Sequence, residues 1–342
     1  MPHISDGKAV CHREVDNQWP IPKFFVSSSS PKCKMDLQSF NRVIVFFCHH
    51  IWPHAVYHQI RNCLLPTMNV IELALQSDPL KTYFLVPWYM EKYLRLLNIN
   101  FDVFIREESK DKLPCLLVKP GTHIYWSTLN DNLWGTKFES LDYVFQKFSD
   151  NAFRLVYNQS SSAIAYYNDN KSNRKRAVFI NRKGTREMSF DVFLGVNRVL
   201  HEGKNNWDVQ YFHGNETLDE TVRLFSTAHL IFGFHGAGFV NAFFSTQSAV
   251  LVFEISFYME RENKVWRFNS GEFSYAKQMI VVPYMLNPDQ NMGSDSAKNG
   301  QVMKQVVVNK TDIFNIQQTL RMALREQQHA LLSLPCNQGM KI

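Results

Sequence analysis

Short apolar runs that alternate with polar, helix-forming segments dominate the second half of the chain. The runs AVFIN (177–181), WDVQYF (207–212), HLIFGF (229–234) and AVLVFEI (249–255) have the length and the β-branched or aromatic content of buried strands. Between them lie FDVFLGVNRVLHE and a segment from Leu218, both of helical character. Strands and helices that alternate in this way predict an α/β fold with a mostly parallel sheet and helices on both faces.

The ends of two of these helices are visible in the sequence. Thr217 and Glu220 form a T-x-x-E capping box, in which the hydroxyl and the carboxylate each take up a backbone N–H group. The last apolar pattern, TDIFNIQQTLRMALREQQHALLSL, places Ile316 and Leu320 at helical spacing, and Pro335 lies beyond it. We therefore expect one helix to begin after Thr217 and another to close the chain.

The first half shows the same alternation. RVIVFFC (42–48), TYFLVP (82–87) and FDVFI (101–105) predict strands, WYMEKYLRLLN predicts a helix, and the region around 55–65 has helical character. Prolines and a run of four serines mark an extended lead-in before them. An Asn- and Ser-rich stretch that ends in NDNKSNRKR separates the two halves. We predict a lead-in over 1–34, an N-terminal domain over 35–170 and a C-terminal domain over 171–334.

Composition narrows the class of ligand. The formal net charge is +6 at pH 7, and 45% hydrophobic content is enough to fill the cores of two domains. The basic residues are spread along the chain, which suits anionic small molecules as well as nucleic acid. Because aromatic and basic residues do not alternate regularly, as they do in single-strand binders, we do not expect a nucleic-acid partner.

The compartment is open at this point. The six cysteines show no C-x-x-C spacing, and a disulfide such as Cys11–Cys33 is compatible with the sequence. The first twenty residues lack the apolar core of a signal peptide, and no run reaches membrane-spanning length, so this stretch of chain is expected to be soluble and without a membrane span. Four N-x-[ST] sequons would fit a glycosylated luminal protein or be plain surface asparagines. They are Asn158, Asn170, Asn215 and Asn309.

The segment HLIFGFHGAGFVNAFF places small residues between two apolar runs. His235, Gly236, Ala237 and Gly238 follow a predicted strand and precede a predicted short helix, where free backbone N–H groups point toward an anion, usually phosphate. Glu254 ends the next strand, where nucleotide-binding sheets often hold a ribose. The segment therefore predicts a nucleotide site. Because its glycine spacing is not G-x-G-x-x-G, a tight turn with a structural histidine is the alternative.

A second basic segment follows the first strand of the same half. FINRKGTREMSF offers Arg182, Lys183 and Arg186 at the carboxyl edge of the predicted sheet, where ligands of open α/β sheets bind. Arginine forks suit phosphate oxygens, and a departing diphosphate would develop negative charge there. The alternative is an ordinary solvated basic turn.

These segments together resemble glycosyltransferase family 61, which contains plant cell-wall xylosyl- and arabinosyltransferases and animal secretory-pathway O-GlcNAc and O-mannose-linked GlcNAc transferases. The carrying motif is LDETVRLFSTAHLIFGFHGAGFVNAFFSTQSAVLVFEI. INRKGTRE resembles the arginine segment of the family, and FLVPWYMEKYLRLLNI and AVYHQIRNCLLPTMNVI are similar to its N-terminal elements.

The resemblance implies a GT-B fold, in which two Rossmann-like domains face each other across a cleft and the C-terminal domain holds the donor. It implies an inverting enzyme that moves GlcNAc or a pentose from a UDP-sugar to a hydroxyl of a glycan or glycoprotein. By the same resemblance, Arg182, Arg186, His235 and the amides of residues 236–238 bind the diphosphate, and Glu254 binds the ribose. The compartment implied is the lumen of the Golgi or endoplasmic reticulum.

The general base is assigned to His58, which matches a Tyr-His position of the family, while Glu72 and Asp102 are carboxylate alternatives. No metal or other cofactor is expected, because basic side chains and a helix terminus hold the diphosphate in GT-B enzymes. Two other classes stay open. An NAD(P)-dependent oxidoreductase shares the strand, glycine loop and acidic residue, and a non-catalytic relative could bind a nucleotide sugar on the same scaffold.

Overall fold

The computed structural model of the chain divides into two compact units, residues 1–136 and 137–342, which we describe separately. The structure describes residues 4–5, 8–9, 26–27, 35–36, 38–45, 59, 82–86, 90–96, 104–105, 116–117, 119, 122–126, 150, 153–154, 156–157, 174–181, 187–203, 206–245, 249–256, 258–259, 264–265, 279–286 and 308–333.

The first unit contains a four-stranded parallel sheet, whose strands lie in the order β7 (Phe104–Ile105), β6 (Thr82–Leu85), β5 (Arg42–Val45) and β9 (His123–Trp126). Helix α1 (Glu91–Leu96) follows β6 and buries Tyr93, whose hydroxyl donates to Gln59 Oε1 at 2.8 Å. The predicted first two strands and the helix after them are confirmed over their described residues, and β7 lies within the predicted strand FDVFI. Its strands are β1 (Ile4–Ser5), β2 (Lys8–Ala9), β3 (Val26–Ser27), β4 (Met35–Asp36), β5 (Arg42–Val45), β6 (Thr82–Leu85), β7 (Phe104–Ile105), β8 (Leu116–Leu117) and β9 (His123–Trp126).

The second unit is built on a five-stranded sheet in which every neighbouring pair of strands is parallel. The strands lie in the order β11 (Trp207–Phe212), β10 (Lys175–Ile180), β12 (Ala228–Phe234), β13 (Val250–Ser256) and β16 (Met279–Met285). The prediction of an α/β fold with a mostly parallel sheet is confirmed here. The strands are β10 (Lys175–Ile180), β11 (Trp207–Phe212), β12 (Ala228–Phe234), β13 (Val250–Ser256), β14 (Tyr258–Met259), β15 (Lys264–Val265) and β16 (Met279–Met285). The helices are α2 (Phe190–Leu200), α3 (Leu218–Ser226), a 3₁₀ helix (Ala237–Phe244) and α4 (Lys310–Ser333).

Helices cover both faces of this sheet. On one face α2 and α4 pack together over alternate side chains of β10, β12 and β13, such as Phe179, Phe232 and Phe253. On the other face α3 packs against the 3₁₀ helix, and Phe225 of α3 makes an edge contact with Phe212 of β11 at 5.2 Å between ring centroids. Because both faces are buried, the central strands are continuous apolar runs rather than alternating ones.

The predicted start of α3 is present, with its capping box. Thr217 Oγ1 accepts the Glu220 N–H, and the Glu220 carboxylate accepts the Thr217 N–H, so the capping box at the start of α3 is confirmed. Helix α4 has a cap that the sequence analysis did not assign. Asn309, also a sequon residue, accepts the Asp312 N–H through its side-chain oxygen at 2.7 Å.

Replacing this cap tests its contribution to stability. We expect Asn309→Ala to lower the free energy of unfolding by about 1 kcal/mol, because the first turn of α4 loses its side-chain acceptor. Asn309→Ser removes the sequon as well but keeps a capping oxygen, so it should retain most of the stability. Equal losses in the two variants, measured by urea denaturation, would show that the cap does not matter.

The division between the units lies before the predicted boundary at 170/171. The described part of 150–157 packs on the second unit, where Arg223 of α3 donates to the carbonyl of Val156 and lies 4.8 Å from the centroid of the Tyr157 ring. The predicted extents 1–34, 35–170 and 171–334 stay predictions, as does the helix around 55–65, of which only Gln59 is described. None of the described helices is long and apolar enough to cross a membrane.

Candidate functional site

The strand order of the second unit creates a break in winding direction beside β10. Strand β11 pairs with one edge of β10, and the next strand in the chain, β12, pairs with the opposite edge of β10. In open parallel sheets, ligands bind outside the carboxyl ends of the strands at this kind of switch point, because the loops after the two strands diverge there. The two loops at the switch point follow Ile180 and Phe234.

The loop after β12 is the HGAG segment. The His235 N–H donates to the Ile255 carbonyl at 2.7 Å, which extends the ladder between β12 and β13 one residue beyond the end of β12. The predicted short helix is present as a 3₁₀ helix that begins at Ala237, and the Phe239 N–H donates to the Gly236 carbonyl at 3.3 Å. The N-terminus of this helix therefore lies at the switch point, as an anion site requires.

Two glycines of this region are needed for packing. A Cβ atom at Gly233 would lie 2.9 Å from both the Cβ and the carbonyl oxygen of Ile180, and one at Gly238 would lie 2.9 Å from Ile180 Cγ2. The Cβ atom at Gly238 would also lie 3.3 Å from Phe212 Cε1. The absence of side chains thus lets the 3₁₀ helix lie close to the ends of β10 and β11.

The loop after β10 is the basic segment that holds Arg182 and Arg186. Its two ends are tied together, because Asn181 Oδ1 accepts the Met188 N–H at 2.9 Å. The Asn181 N–H in turn donates to the carbonyl of Phe212 at the end of β11 at 2.9 Å. Arg182 and Arg186 lie outside the described residues, as do His58, Glu72 and Asp102. The structure places the ends of the basic loop at the switch point, and the roles of its arginines stay predictions.

His235 and Glu254 form a pair that the sequence analysis did not foresee. His235 Nδ1 lies 2.8 Å from Glu254 Oε1, and the side chains are 4% and 0% exposed. The ribose contact of Glu254 stays a prediction, and its carboxylate contacts this imidazole. The sequence signal for the pair is weak, since the two residues are 19 positions apart and become neighbours only through the register of β12 and β13.

A second histidine reaches the same edge of the sheet. His213 follows β11 directly, and its Nδ1 lies 2.9 Å from the carbonyl oxygen of Asn181. Glu216 fixes the turn, because its carboxylate accepts the backbone N–H groups of His213 and Gly214 at 2.7 Å each. The sequence signal for His213, which was not among the predicted site residues, is its position directly after the end of a predicted strand. It adds a polar, half-buried ring beside the basic loop.

His229 shows how differently the other histidine of β12 is placed. It lies near the amino end of the strand, where its Nδ1 accepts the Arg176 N–H at 3.2 Å. Burial, together with the nearby charges of Lys175 and Arg176, lowers the pKa of His229 to about 4. The ring is therefore neutral near pH 7 and has a structural role at the edge opposite the site.

This shift in pKa predicts a pH dependence of stability. As the pH falls from about 6.5 to about 4, the unfolded chain takes up a proton at residue 229 before the folded chain does, so folding becomes less favourable. His229→Asn removes the titration, and its free energy of unfolding should fall less over this range. Parallel pH profiles for the variant and the unchanged chain would contradict the expected shift.

Among the described side chains, no group of three His, Cys, Asp or Glu residues is placed to hold a metal ion. What the carboxyl edge does bring together is a helix N-terminus, two imidazoles and the ends of a loop that carries arginines. This combination suits a polyanion such as a diphosphate, which basic groups and backbone N–H groups hold together.

One known protein family has a sequence model that matches this chain. A comparison with curated protein sequences gives no significant match. Among solved structures, the chain is similar to a glycosyl transferase family 9 protein from Veillonella parvula DSM 2008, with 10% sequence identity over 86% of this chain and 99% of that chain. The TM-score is 0.34, too low to support an argument about fold or function. The sequence model of glycosyltransferase 61 matches residues 56–252, more than half of the 342 residues, and includes β10–β12 and the HGAG loop. The chain therefore belongs to the glycosyltransferase 61 family.

Proposed function

We propose that this glycosyltransferase moves GlcNAc or a pentose from a UDP-sugar to a hydroxyl group of a glycan or glycoprotein, with inversion at the anomeric carbon. The observation that carries the proposal is the HGAG loop at the switch point of the parallel sheet, inside the segment that the family matches. A nucleotide is the ligand class that such a point binds in open α/β sheets. The GT-B arrangement of two Rossmann-like domains is part of the proposal.

The diphosphate of the donor is assigned to the carboxyl edge of the second unit. Arg182 and Arg186 would contact its oxygens by charge-assisted hydrogen bonds, because the ends of their loop lie at this edge. His235 and the amides of residues 236–238 would bind the same group from the side of β12. Together they would stabilise the negative charge that develops on the diphosphate as it leaves.

The reaction is a single displacement. A base removes the proton of the acceptor hydroxyl while its oxygen attacks the anomeric carbon, and the bond between that carbon and the diphosphate oxygen breaks on the opposite face. UDP leaves with the electron pair of this bond. His58 is the proposed base, and no essential metal or other cofactor is proposed, since arginines and the helix N-terminus would hold the leaving group. The proposed compartment is the secretory-pathway lumen, where glycoprotein and glycan acceptors are made.

Turnover of the donor tests this proposal. The full chain is incubated with UDP-GlcNAc, UDP-xylose or UDP-arabinose, with and without EDTA, and UDP release is measured together with the first-formed anomer by proton NMR. We expect UDP release with at least one donor, an inverted product, and no effect of EDTA. Retention of configuration or loss of activity in EDTA would contradict the mechanism. Consumption of none of the donors, together with binding of NAD(P) in a parallel titration, would favour an oxidoreductase.

Binding of a donor without turnover is a separate outcome. In that case a non-catalytic nucleotide-sugar-binding relative would replace the transferase proposal. If the chain is active, His58→Ala tests whether the measured turnover depends on the proposed base. Loss of the base should lower turnover about 100-fold or more while donor binding is retained. Unchanged turnover in His58→Ala would remove this residue from the mechanism, with Glu72 and Asp102 next to be changed.

A further inference from the structure

The contact between His235 and Glu254 is built into the sheet. Gly233 of β12 is the register partner of Glu254 in β13, and the His235 N–H donates to Ile255 on the same neighbouring strand. These two contacts fix the backbone on both sides of the pair. The side chains then meet at 2.8 Å with almost no exposed surface, so the pair is preorganised by the packing of two central strands.

Hydrogen-bond chemistry assigns the proton in this contact. With Glu254 as a carboxylate, which is only an acceptor, the 2.8 Å contact requires His235 Nδ1 to be the donor to Glu254 Oε1. A neutral imidazole carries one proton, and a donor at Nδ1 therefore fixes the tautomer and the direction of Nε2 on the other side of the ring. Carboxylate partners fix histidines in this way in catalytic triads and in metal sites, where loss of the partner reduces function.

The burial of Glu254 argues against direct contact with a ligand. Its side chain has no exposed surface, whereas a group that binds ribose hydroxyls must present an oxygen to them. His235, at the end of β12 and beside the start of the 3₁₀ helix, is the member of the pair that lies in the HGAG loop. Glu254 therefore reaches that loop through His235.

We propose that Glu254 is a positioning residue, which sets the tautomer and orientation of His235 instead of binding the ribose of the donor. The part of this inference that concerns the diphosphate rests on the proposed function. The alternatives are a direct ribose ligand, as the sequence predicts, and a pair that only strengthens the contact between β12 and β13. Each alternative gives a different pattern in Glu254→Gln and Glu254→Ala, because glutamine keeps an oxygen that can accept from Nδ1.

The first test needs no ligand. Nitrogen-15 NMR of histidine-labelled protein, with His235→Ala used to assign the resonance, reports which ring nitrogen carries the proton. We expect a proton on Nδ1 in the unchanged chain and in Glu254→Gln. In Glu254→Ala the spectrum should change to that of an imidazole without a fixed tautomer. The same spectrum in all three proteins would overturn the inference.

The second test is a double-mutant cycle with calorimetric titration of UDP and 2′-deoxy-UDP. Glu254→Ala should weaken UDP binding by about 10- to 100-fold, as loss of a charge-assisted hydrogen bond at His235 would, and Glu254→Gln by only a few fold. In the His235→Ala background, Glu254→Ala should have no further effect. The preference for UDP over 2′-deoxy-UDP should be the same with and without Glu254.

The results separate the alternatives. A ribose ligand predicts that Glu254→Ala abolishes the preference for UDP over 2′-deoxy-UDP and still weakens binding when His235 is absent. A purely structural pair predicts a loss of stability with unchanged UDP affinity, and either result overturns the inference. If the unchanged chain does not bind UDP, the proposed function is wrong, and the imidazole spectra still decide whether Glu254 positions His235.

Gln327→Met is the matched control for loss of a buried polar group. Gln327 is 2% exposed and donates to the carbonyls of His229 and Ala249, at the amino ends of the same two strands. This change removes two buried hydrogen bonds at the opposite edge of the sheet. It should lower stability and leave both the UDP affinity and the His235 spectrum unchanged. A weaker UDP affinity in Gln327→Met would show that general loosening of β12 and β13 explains the effects.

Discussion

Gly233→Ala is expected to lower the free energy of unfolding by about 1–3 kcal/mol, the usual cost of adding a methyl group to a well-packed core. The new Cβ would lie 2.9 Å from the carbonyl oxygen of Ile180, which is backbone in the adjacent strand and cannot turn away as a side chain can. Strands β10 and β12 would have to separate. Because the basic loop and the HGAG loop follow these two strands, UDP binding should weaken as well.

A second glycine variant, Gly203→Ala, makes this prediction specific. In Gly203→Ala the new methyl group meets no neighbour within 4 Å, but the backbone has φ +72°, so the variant loses stability through backbone strain alone. Gly203 lies between α2 and β11, at the amino edge of the sheet, and UDP binding should be unchanged there. Urea denaturation and UDP titration measure the two effects. Unchanged stability in Gly233→Ala would contradict the packing that the structure shows.

His235→Ala is expected to weaken UDP binding by about 10- to 100-fold. Removal of the imidazole takes away a proposed contact to the diphosphate, and hydrogen bonds to charged groups contribute about 1.5–3 kcal/mol. It also takes a hydrogen-bond donor from the buried carboxylate of Glu254, so a loss of stability of about 1–3 kcal/mol is expected. Calorimetric titration of UDP measures the first effect and urea denaturation the second.

His229→Ala is the matched control, since it removes an imidazole from the other end of the same strand. Its ring bonds to backbone at Arg176, away from the carboxyl edge. Stability should fall and the UDP affinity should stay within about twofold of that of the unchanged chain. Equal UDP affinities in His235→Ala and the unchanged chain would remove His235 from the donor site.

Much of the second unit could be predicted from the sequence because its elements are long and strongly patterned. WDVQYF corresponds residue for residue to β11, and the capping box marks the start of α3. The order of the strands in the sheet could not be predicted, because alternating strands and helices do not determine which face of the sheet each connection crosses. The switch point between β10 and β12, on which the site depends, therefore required the structure.

The candidate site shows the same division. His235 and the glycines could be identified because small residues between two apolar runs are unusual. The partner of His235 could not, because β13 is buried on both faces and its sequence has no alternation from which to tell where Glu254 points. An acidic residue at a strand end predicts a ribose ligand, and only the register of the two strands shows that Glu254 also lies against an imidazole.

The proposed mechanism depends on binding of the diphosphate of a UDP-sugar at the carboxyl edge of the five-stranded sheet in the second unit. A thermal-shift series with UDP, UDP-GlcNAc, UDP-xylose, UDP-arabinose, GDP and NAD, repeated on His235→Ala and Arg182→Ala, tests it most directly, because a ligand that binds only the folded state raises its stability. We expect UDP and at least one UDP-sugar to stabilise the wild-type chain, and we expect this stabilisation to be lost in both variants. Stabilisation by NAD alone, or by UDP equally in all three proteins, would contradict it.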